Sequence, residues 1–423
     1  MKTKYEIFET KASPFGGLYV LSEFLNKIKF HKLFNSIFGK LRRIRYYHPA
    51  DSVTTLMASI VAGGERLYDI QRFSDDTVVR DLFELQSIPN DTTIRDDLML
   101  IGQHDDKRQE FLFQLNELLF EKHDIKTITI DVDGTATPVD GHHQGAEKGY
   151  CPQEIGSRCF QSLTAICDET ETAIAEQTRS GETHCADGII AFMKMILDRF
   201  SPQMDSITVR LDAGFYSDDL IRLFESYPNV YYEMSVPKHE WLQNKIQQLS
   251  YKSYHQSDRE YATFAYGEGL DGAFRHYYVE RSKNVDAQGD LFECNDYSYR
   301  VIISNKERQP HVVVNHYNKR GRCEKSIEEL KNQYALGKMV SHDFAVTKAL
   351  FWISYVTFTI IGILRCVAFR RQMVKYRLRR LRFILFTAIG YYVSHARKNV
   401  YKIALSSVGQ WQFKFLMQRI WAF

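Results

Sequence analysis

The chain has 423 residues, enough for two or three domains with a sizeable core, and its 44% hydrophobic, 25% charged composition excludes a disordered protein. Net charge is only +3, yet fourteen of the 55 basic residues and none of the 52 acidic ones follow Asp343. The body before that point is therefore acidic, with 41 basic against 52 acidic residues, and the tail is basic, which points to an anionic partner, nucleic acid or a membrane surface. Seven cysteines without a CxxC pair argue for a reducing compartment and against a structural zinc site. The start, "MKTKYEIFETKASPFGG", lacks the apolar stretch of a secretory signal, so a cytoplasmic protein is expected.

Residues 18–120 read as helices with short breaks, from apolar spacing in "LYVLSEFLNKIKFHKLF" and "VTTLMASIVAGGERLYDIQRF". Pro89, Asn90 and Asp91 look like a capped helix start. Strand-like alternation first appears at 126–139, "KTITIDVDGTATPV", and continues at 159–169 and 172–181. A helix at 185–200, a strand at 206–214, a helix at "SDDLIRLFESYP" and a strand at 229–238 follow. This order predicts a mixed sheet, an antiparallel meander followed by βα units. The stretch 239–300 reads as a mainly β insertion, with pieces "REYATFAYG", "FRHYYVERS" and "YSYRVIIS". From 342 onward the chain reads as helical, aromatic and basic; its 16-residue uncharged run, Ala349 to Leu364, is short for a membrane span and reads as a buried helix.

Two strands deliver aspartates. "ITIDVDGT" carries Asp131 and Asp133, which point to one face of their strand, and "VRLDAGFYS" carries Asp212. Ligands of open α/β sheets gather where strands stop, and a buried carboxylate needs a partner or a cation. With a glutamate from a later helix, such groups suit Mg²⁺ or Mn²⁺ and metal-assisted phosphoryl transfer. Either aspartate could be the first ligand, with Asp133 the better placed beside Gly134.

The glutamate comes from "YNKRGRCEKSIEELK". Tyr317, Arg320, Glu324 and Lys331 stand at offsets 0, 3, 7 and 14, which would put them on one face of one helix. Their spacing resembles the Y-x2-R-x3-E-x6-K signature of DDE insertion-sequence transposases, and "DGT" and "DAGFYS" resemble that family's two aspartate motifs. The resemblance implies an RNase H-like mixed sheet core with a β-rich insertion, flanked by helical N- and C-terminal regions. It also implies an enzyme that binds the ends of an insertion sequence and catalyses metal-dependent DNA cleavage and strand transfer. Asp133, Asp212 and Glu324 would be the catalytic, metal-binding triad with Mg²⁺ or Mn²⁺. Tyr317, Arg320 and Lys331 would contact DNA phosphate. The partners implied are the terminal inverted repeats and target DNA, with a homodimer in the synaptic complex, no membrane, and a bacterial, nucleoid-associated location.

The resulting domain expectation has five parts. Residues 1–120 form a helical DNA-binding or dimerisation region, 121–238 the first part of the core and 239–300 the insertion. Residues 301–345 complete the core, and 346–423 form a basic helical tail. Tyr297, Tyr299 and Trp241 are aromatic residues that could stack on a flipped base, with ordinary β-core packing as the alternative. His142 and His143 read as a solvated loop, and Arg179 as a DNA contact or a turn cap. The basic, aromatic stretch 370–383 suits DNA backbone contact. Two rival functions fit the same residues: a nuclease of the same core without strand transfer, and a domesticated, catalytically silent DNA-binding protein.

Overall fold

The computed structural model describes residues 11–44, 46–152, 154–184, 186–254, 258–267, 273–283, 297–370, 373–395 and 398–423. Arg371 and Gln372 of the basic stretch, and much of the expected insertion, lie outside the described residues. In chain order, six helices come first: α1 (Tyr19–Lys27), α2 (Phe30–Phe38), α3 (Pro49–Ala62), α4 (Thr77–Leu82), α5 (Asp91–Gly102) and α6 (Asp105–Lys122). Strands β1 (Thr127–Val139), β2 (Glu147–Lys148), β3 (Arg158–Cys167) and β4 (Thr172–Ser180) follow. Then come α7 (Ile189–Phe200), β5 (Ser206–Leu211), α8 (Asp218–Glu225) and β6 (Val230–Ser235). Next are α9 (Glu240–Gln247), β7 (Lys252–Ser253), β8 (Arg259–Tyr266), β9 (Arg275–Lys283) and β10 (Tyr297–Ser304). The chain continues through α10 (Pro310–Asn318), α11 (Gly321–Gln333), α12 (Phe344–Ala368) and α13 (Leu378–Leu381). It ends with β11 (Gly390–His395), β12 (Lys398–Ile403) and α14 (Ser407–Ala422). Two compact units result: one of Met1–Asn116, Gly141–Gly145 and Glu328–Phe423, the other of Glu117–Asp140 and Ala146–Ile327.

The sheet belongs to the second unit. Its order is β4–β3–β1–β5–β6–β10–β9–β8–β7, with the short β2 also on β3. β1, β3 and β4 are antiparallel, while β1, β5 and β6 run parallel, which is the antiparallel meander followed by βα units expected from the element order. β10 pairs antiparallel with β6, Ile302 opposite Ser235, so the β-rich insertion lengthens the core sheet instead of forming a separate one. β1 is buried on both faces, so Thr129 is as hidden as Ile128 and Ile130. Two details differ from expectation. β1 runs through Gly134 to Val139 because β3 keeps pairing with it, so Asp133 lies inside the strand. What ends after Asp131 is the parallel pairing with β5.

The other difference is in "YNKRGRCEKSIEELK", which is two helices and not one. α10 stops at Asn318, α11 starts at Gly321, and Arg320 sits at the joint, its amide donating to the Tyr317 carbonyl at 2.8 Å. Glycine at position 321 is a weak helix former, and tertiary contacts of Tyr317 and Arg320, described below, hold the bend. Tyr317 joins Tyr261, Tyr278, Ile302, Val313 and Val314 in one apolar cluster. Cys323 and Ile327 of α11 pack on Ile166 of β3.

In the first unit the helical front is as expected, and α12 is its centre. This 25-residue helix is long and apolar enough to cross a membrane, yet 94% of its most apolar stretch is buried against protein, as the reading of a core helix required. Trp352 meets Phe38 and Phe111 edge-on, each at 5.5 Å between ring centroids, and its indole N–H donates to the Arg108 carbonyl at 2.9 Å. Gly102 lets α5 approach α12 closely, since a β-carbon there would stand 1.8 Å from the Ala345 carbonyl oxygen. Arg382 donates to the carbonyls of Ile60 and Val61, which end α3. The tail is not wholly helical: β11 and β12 form a hairpin, favoured by β-branched and aromatic residues such as Tyr392, Val393, Val400 and Tyr401. The Tyr401 hydroxyl donates to the Gly16 carbonyl at 2.7 Å.

Trp352→Ala removes a fully buried indole and its hydrogen bond, so it should destabilise the first unit by about 3–5 kcal/mol. Denaturant unfolding followed by far-ultraviolet circular dichroism measures this.

Candidate active site

The register of β1 and β5 sets the site. Asp131 pairs with Arg210, so two residues further along each strand Asp133 and Asp212 stand level with one another. Asp212 follows the last residue of β5 and its carboxylate accepts from the Gly214 amide at 2.9 Å, which closes the turn. Glu324 arrives from the first turn of α11. All three carboxylates face one guanidinium. Arg320 donates to Asp133 at 3.0 Å, to Asp212 at 3.5 Å and to Glu324 at 3.2 Å. Arg320 and Asp133 are largely buried, whereas the Glu324 side chain is 64% exposed. Beside them lies an open cleft of about 500 Å³, lined among others by Asp212, Arg300, Tyr317, Arg320 and Glu324.

Electrostatics follow from crowding. Burial pushes the Asp133 carboxyl up to about 6; Arg320 pulls the other way, while Asp212 and Glu324 add to the rise. Tyr317 is buried and its hydroxyl donates to the Leu211 carbonyl at 3.1 Å, so it fixes the end of β5 next to Asp212. The sequence expectation had it meeting DNA; here it is mostly buried and lines the cleft. Lys331 lies on α11, two turns beyond Glu324.

Under the three carboxylates lies a charged layer that sequence reasoning missed. Arg210 and Asp131 are fully buried, and the guanidinium donates to both Asp131 oxygens, at 2.6 and 2.7 Å. Arg210 also reaches Asp168 at 3.2 Å and donates to the His316 carbonyl at 2.7 Å. Asp168 in turn meets Arg322 at 3.2 Å, and His316 Nδ1 lies 2.8 Å from Glu233. The layer ties β1, β5 and β6 to both α10 and α11. With both its oxygens taken, Asp131 is a structural ion-pair partner, and Asp133 is the residue of the pair that reaches the site. The signal available in sequence was Arg210 itself, the one charge in the buried strand SITVRL.

The remaining sequence candidates fall elsewhere. His143 bonds through Nδ1 to the Ser341 carbonyl at 2.9 Å and stacks on His342 within the first unit. Arg179 caps a turn, donating to the carbonyls of His184 and Asp187. Tyr297 lies under the Arg281 guanidinium at 4.4 Å, and Tyr299 stands beside Tyr251. Trp241 stacks face to face on Tyr266 at 4.4 Å, in a second cleft of about 320 Å³ with Tyr216, His239 and Arg275.

Residues 10–422 match the family model described as the transposase DDE domain, group 1. The chain belongs to that family. It is a DDE transposase, an enzyme of metal-dependent DNA cleavage and strand transfer. No curated protein matches it. Among solved structures it is similar to piggyBac transposase in a synaptic complex with hairpin DNA, at 12% identity and a TM-score of 0.45, over 88% of this chain and 80% of that one.

DDE enzymes use divalent metal ions, and the donors present in this transposase fit one. Three carboxylates offer only oxygen, which suits a hard cation, and they already converge on a single positive group. Among the described residues no three acidic, His or Cys groups stand in metal-ligating geometry as they are; here the guanidinium takes the middle.

Two outcomes are expected. Asp131→Asn should destabilise the transposase by about 3–5 kcal/mol, because it leaves Arg210 buried beside one carboxylate fewer; denaturant midpoints measure this in metal-free buffer. The second concerns pH. Asp133 holds its proton more tightly folded, at about 6, than an unfolded aspartate does, so its contribution to stability is present below about pH 4 and lost as pH rises through 6. Asp133→Asn removes that loss. In chelator-treated protein, its melting temperature relative to wild type should therefore climb across this window and level off above it.

Proposed function

We propose that Asp133, Asp212 and Glu324 are the carboxylate triad that holds Mg²⁺ or Mn²⁺, and that this transposase cuts at the ends of its own element and joins them to target DNA. The observation that carries the reading is the convergence of these three side chains, from β1, from the end of β5 and from α11, on one cation. When bound, the divalent ions would activate the attacking oxygen and stabilise the leaving one. The chain's own groups do the rest. Tyr317 pins the strand end that carries Asp212, and the Arg210 layer holds α10 and α11 against the sheet. Lys331 and Arg320 would grip phosphate beside the cleaved bond, Lys331 as a point charge and Arg320 through its planar fork.

We also propose that the chain is divided into the five parts given above. Residues 1–120 and the basic tail would bind DNA and support a homodimer that pairs two ends, with exposed Trp411 and Trp421 and the Arg370–Trp411 contact among the surfaces available in the tail. Affinity for DNA would rest mainly on Lys and Arg contacts to phosphate, and cleavage on the triad.

The test is an end-cleavage and joining assay with duplexes carrying the element's ends in Mg²⁺. Asp133→Ala, Asp212→Ala and Glu324→Ala should each abolish cleavage and joining while end binding persists; a variant that still cuts at near the wild-type rate would remove its residue from the triad. Cleaved but never joined ends in the wild type would favour a nuclease. Lys331→Ala should flatten the slope of log K against log salt by about 0.9, one phosphate contact's worth.

A further inference from the structure

Arg320 stands where a metal-dependent site of this kind needs a cation. Its guanidinium donates to all three carboxylates, at 3.0, 3.2 and 3.5 Å. Without it Asp133, Asp212 and Glu324 would face one another as uncompensated negative charges, one of them largely buried. Three further observations describe how it is seated. Nε of Arg320 is buried without an acceptor, so one donor of the fork is unsatisfied where it lies. The residue sits at the joint between α10 and α11, outside either helix. Glu324 and Asp212 are open to the cleft that Arg320 also lines, so an ion entering the cleft meets both carboxylates and the guanidinium it would replace. By contrast Arg210, one layer below, is fully buried and donates through Nε, Nη1 and Nη2 alike. One arginine is built in; the other is seated loosely.

We propose that Arg320 is a displaceable counter-ion: in the metal-free protein it holds the triad together, and it yields the position to a divalent cation when a DNA phosphate takes up its guanidinium. This rests on the reading of Asp133, Asp212 and Glu324 as the metal-holding carboxylates. The two positions of one side chain explain why a residue with the spacing of a phosphate contact is found on carboxylates here. Metal loading and DNA binding are thereby coupled. A protein away from DNA carries a low affinity for the metal and a closed charge balance, and DNA raises that affinity by removing the competing charge.

The measurement is Mn²⁺ affinity of the full chain without DNA, by titration calorimetry or by the electron paramagnetic resonance signal of free Mn²⁺. Arg320→Gln should bind Mn²⁺ about tenfold or more tightly than wild type, since a unit positive charge a few Å from the ion is gone. Arg320→Lys, which keeps the charge, should stay near wild type, and Asp133→Asn in the Arg320→Gln background should abolish the binding. A merely structural role for Arg320 predicts the opposite sign, because loosened ligands bind more weakly. Equal or weaker Mn²⁺ binding by Arg320→Gln, still lost with Asp133→Asn, would overturn the counter-ion and leave the triad standing. No Asp133-dependent binding in any of the proteins would overturn both. Arg320→Met, which keeps the buried stem, takes the place of the glutamine variant if that one fails to fold by circular dichroism. Saturating duplex with the element's end should raise the wild-type affinity more than that of Arg320→Gln; an equal rise in both would overturn the exchange with phosphate.

Discussion

The buried ion pair between Arg210 and Asp131 is the contact on which the site's geometry rests. Arg210 comes from β5 and Asp131 from β1, at a matched position of the parallel ladder. Two such charges are costly to bury alone, and the arrangement repays the cost only because all three nitrogens of the guanidinium donate. The third donor, to the His316 carbonyl, fastens α10; Asp168 relays the charge to Arg322 and so fastens α11. Everything above this layer inherits its alignment. Asp133 and Asp212 are level because their strands are locked two residues earlier, and Glu324 overhangs them because its helix is held from below.

That layered design separates two jobs that look alike in a list of charged residues. Asp131 and Asp133 are neighbours but one on the same strand and face the same way. One is closed in by Arg210 from the next strand; the other meets Arg320 from a helix joint. The difference is in reach and exposure and not in residue type. A fully satisfied buried network is rigid, while the loosely satisfied group above it is free to change partners.

Much of this was legible in the sequence. The strand–helix order from Thr127 to Ser235 follows from local patterns of apolar spacing, and the tripeptide-scale motifs around Asp133 and Asp212 mark where the strands carry carboxylates. The spacing of Tyr317, Arg320, Glu324 and Lys331 singled out Glu324, which lies on α11 and shares Arg320 with Asp133 and Asp212, although the single helix it implied is two. Helical periodicity cannot reveal that break, because it is made by distant partners: the Leu211 carbonyl for Tyr317 and the carboxylates for Arg320. The joining of β10 to β6 was equally hidden, since strand pairing across an insertion leaves no local mark. The hairpin of β11 and β12 did leave one, in the tyrosines and valines of "GYYVSH" and "KNVYKI", but basic residues and flanking helices masked it.

The distances along the chain have a consequence for how the protein is made. Arg320 lies 187 residues beyond Asp133 and 108 beyond Asp212. At a synthesis rate of about 5–20 residues per second, Asp212 emerges roughly 5–20 seconds before the residue that neutralises it. The parallel strands β1 and β5, locked by Arg210 and Asp131, can already be paired by then, and so the nascent domain carries Asp133 and Asp212 without the guanidinium that later pairs with both. β6 can close the edge beside β5, but β10, which continues the sheet, arrives only shortly before α11. The ribosome-bound intermediate therefore keeps β6 as an open sheet margin until β10 is made, and its two aspartates wait for Arg320 longer still.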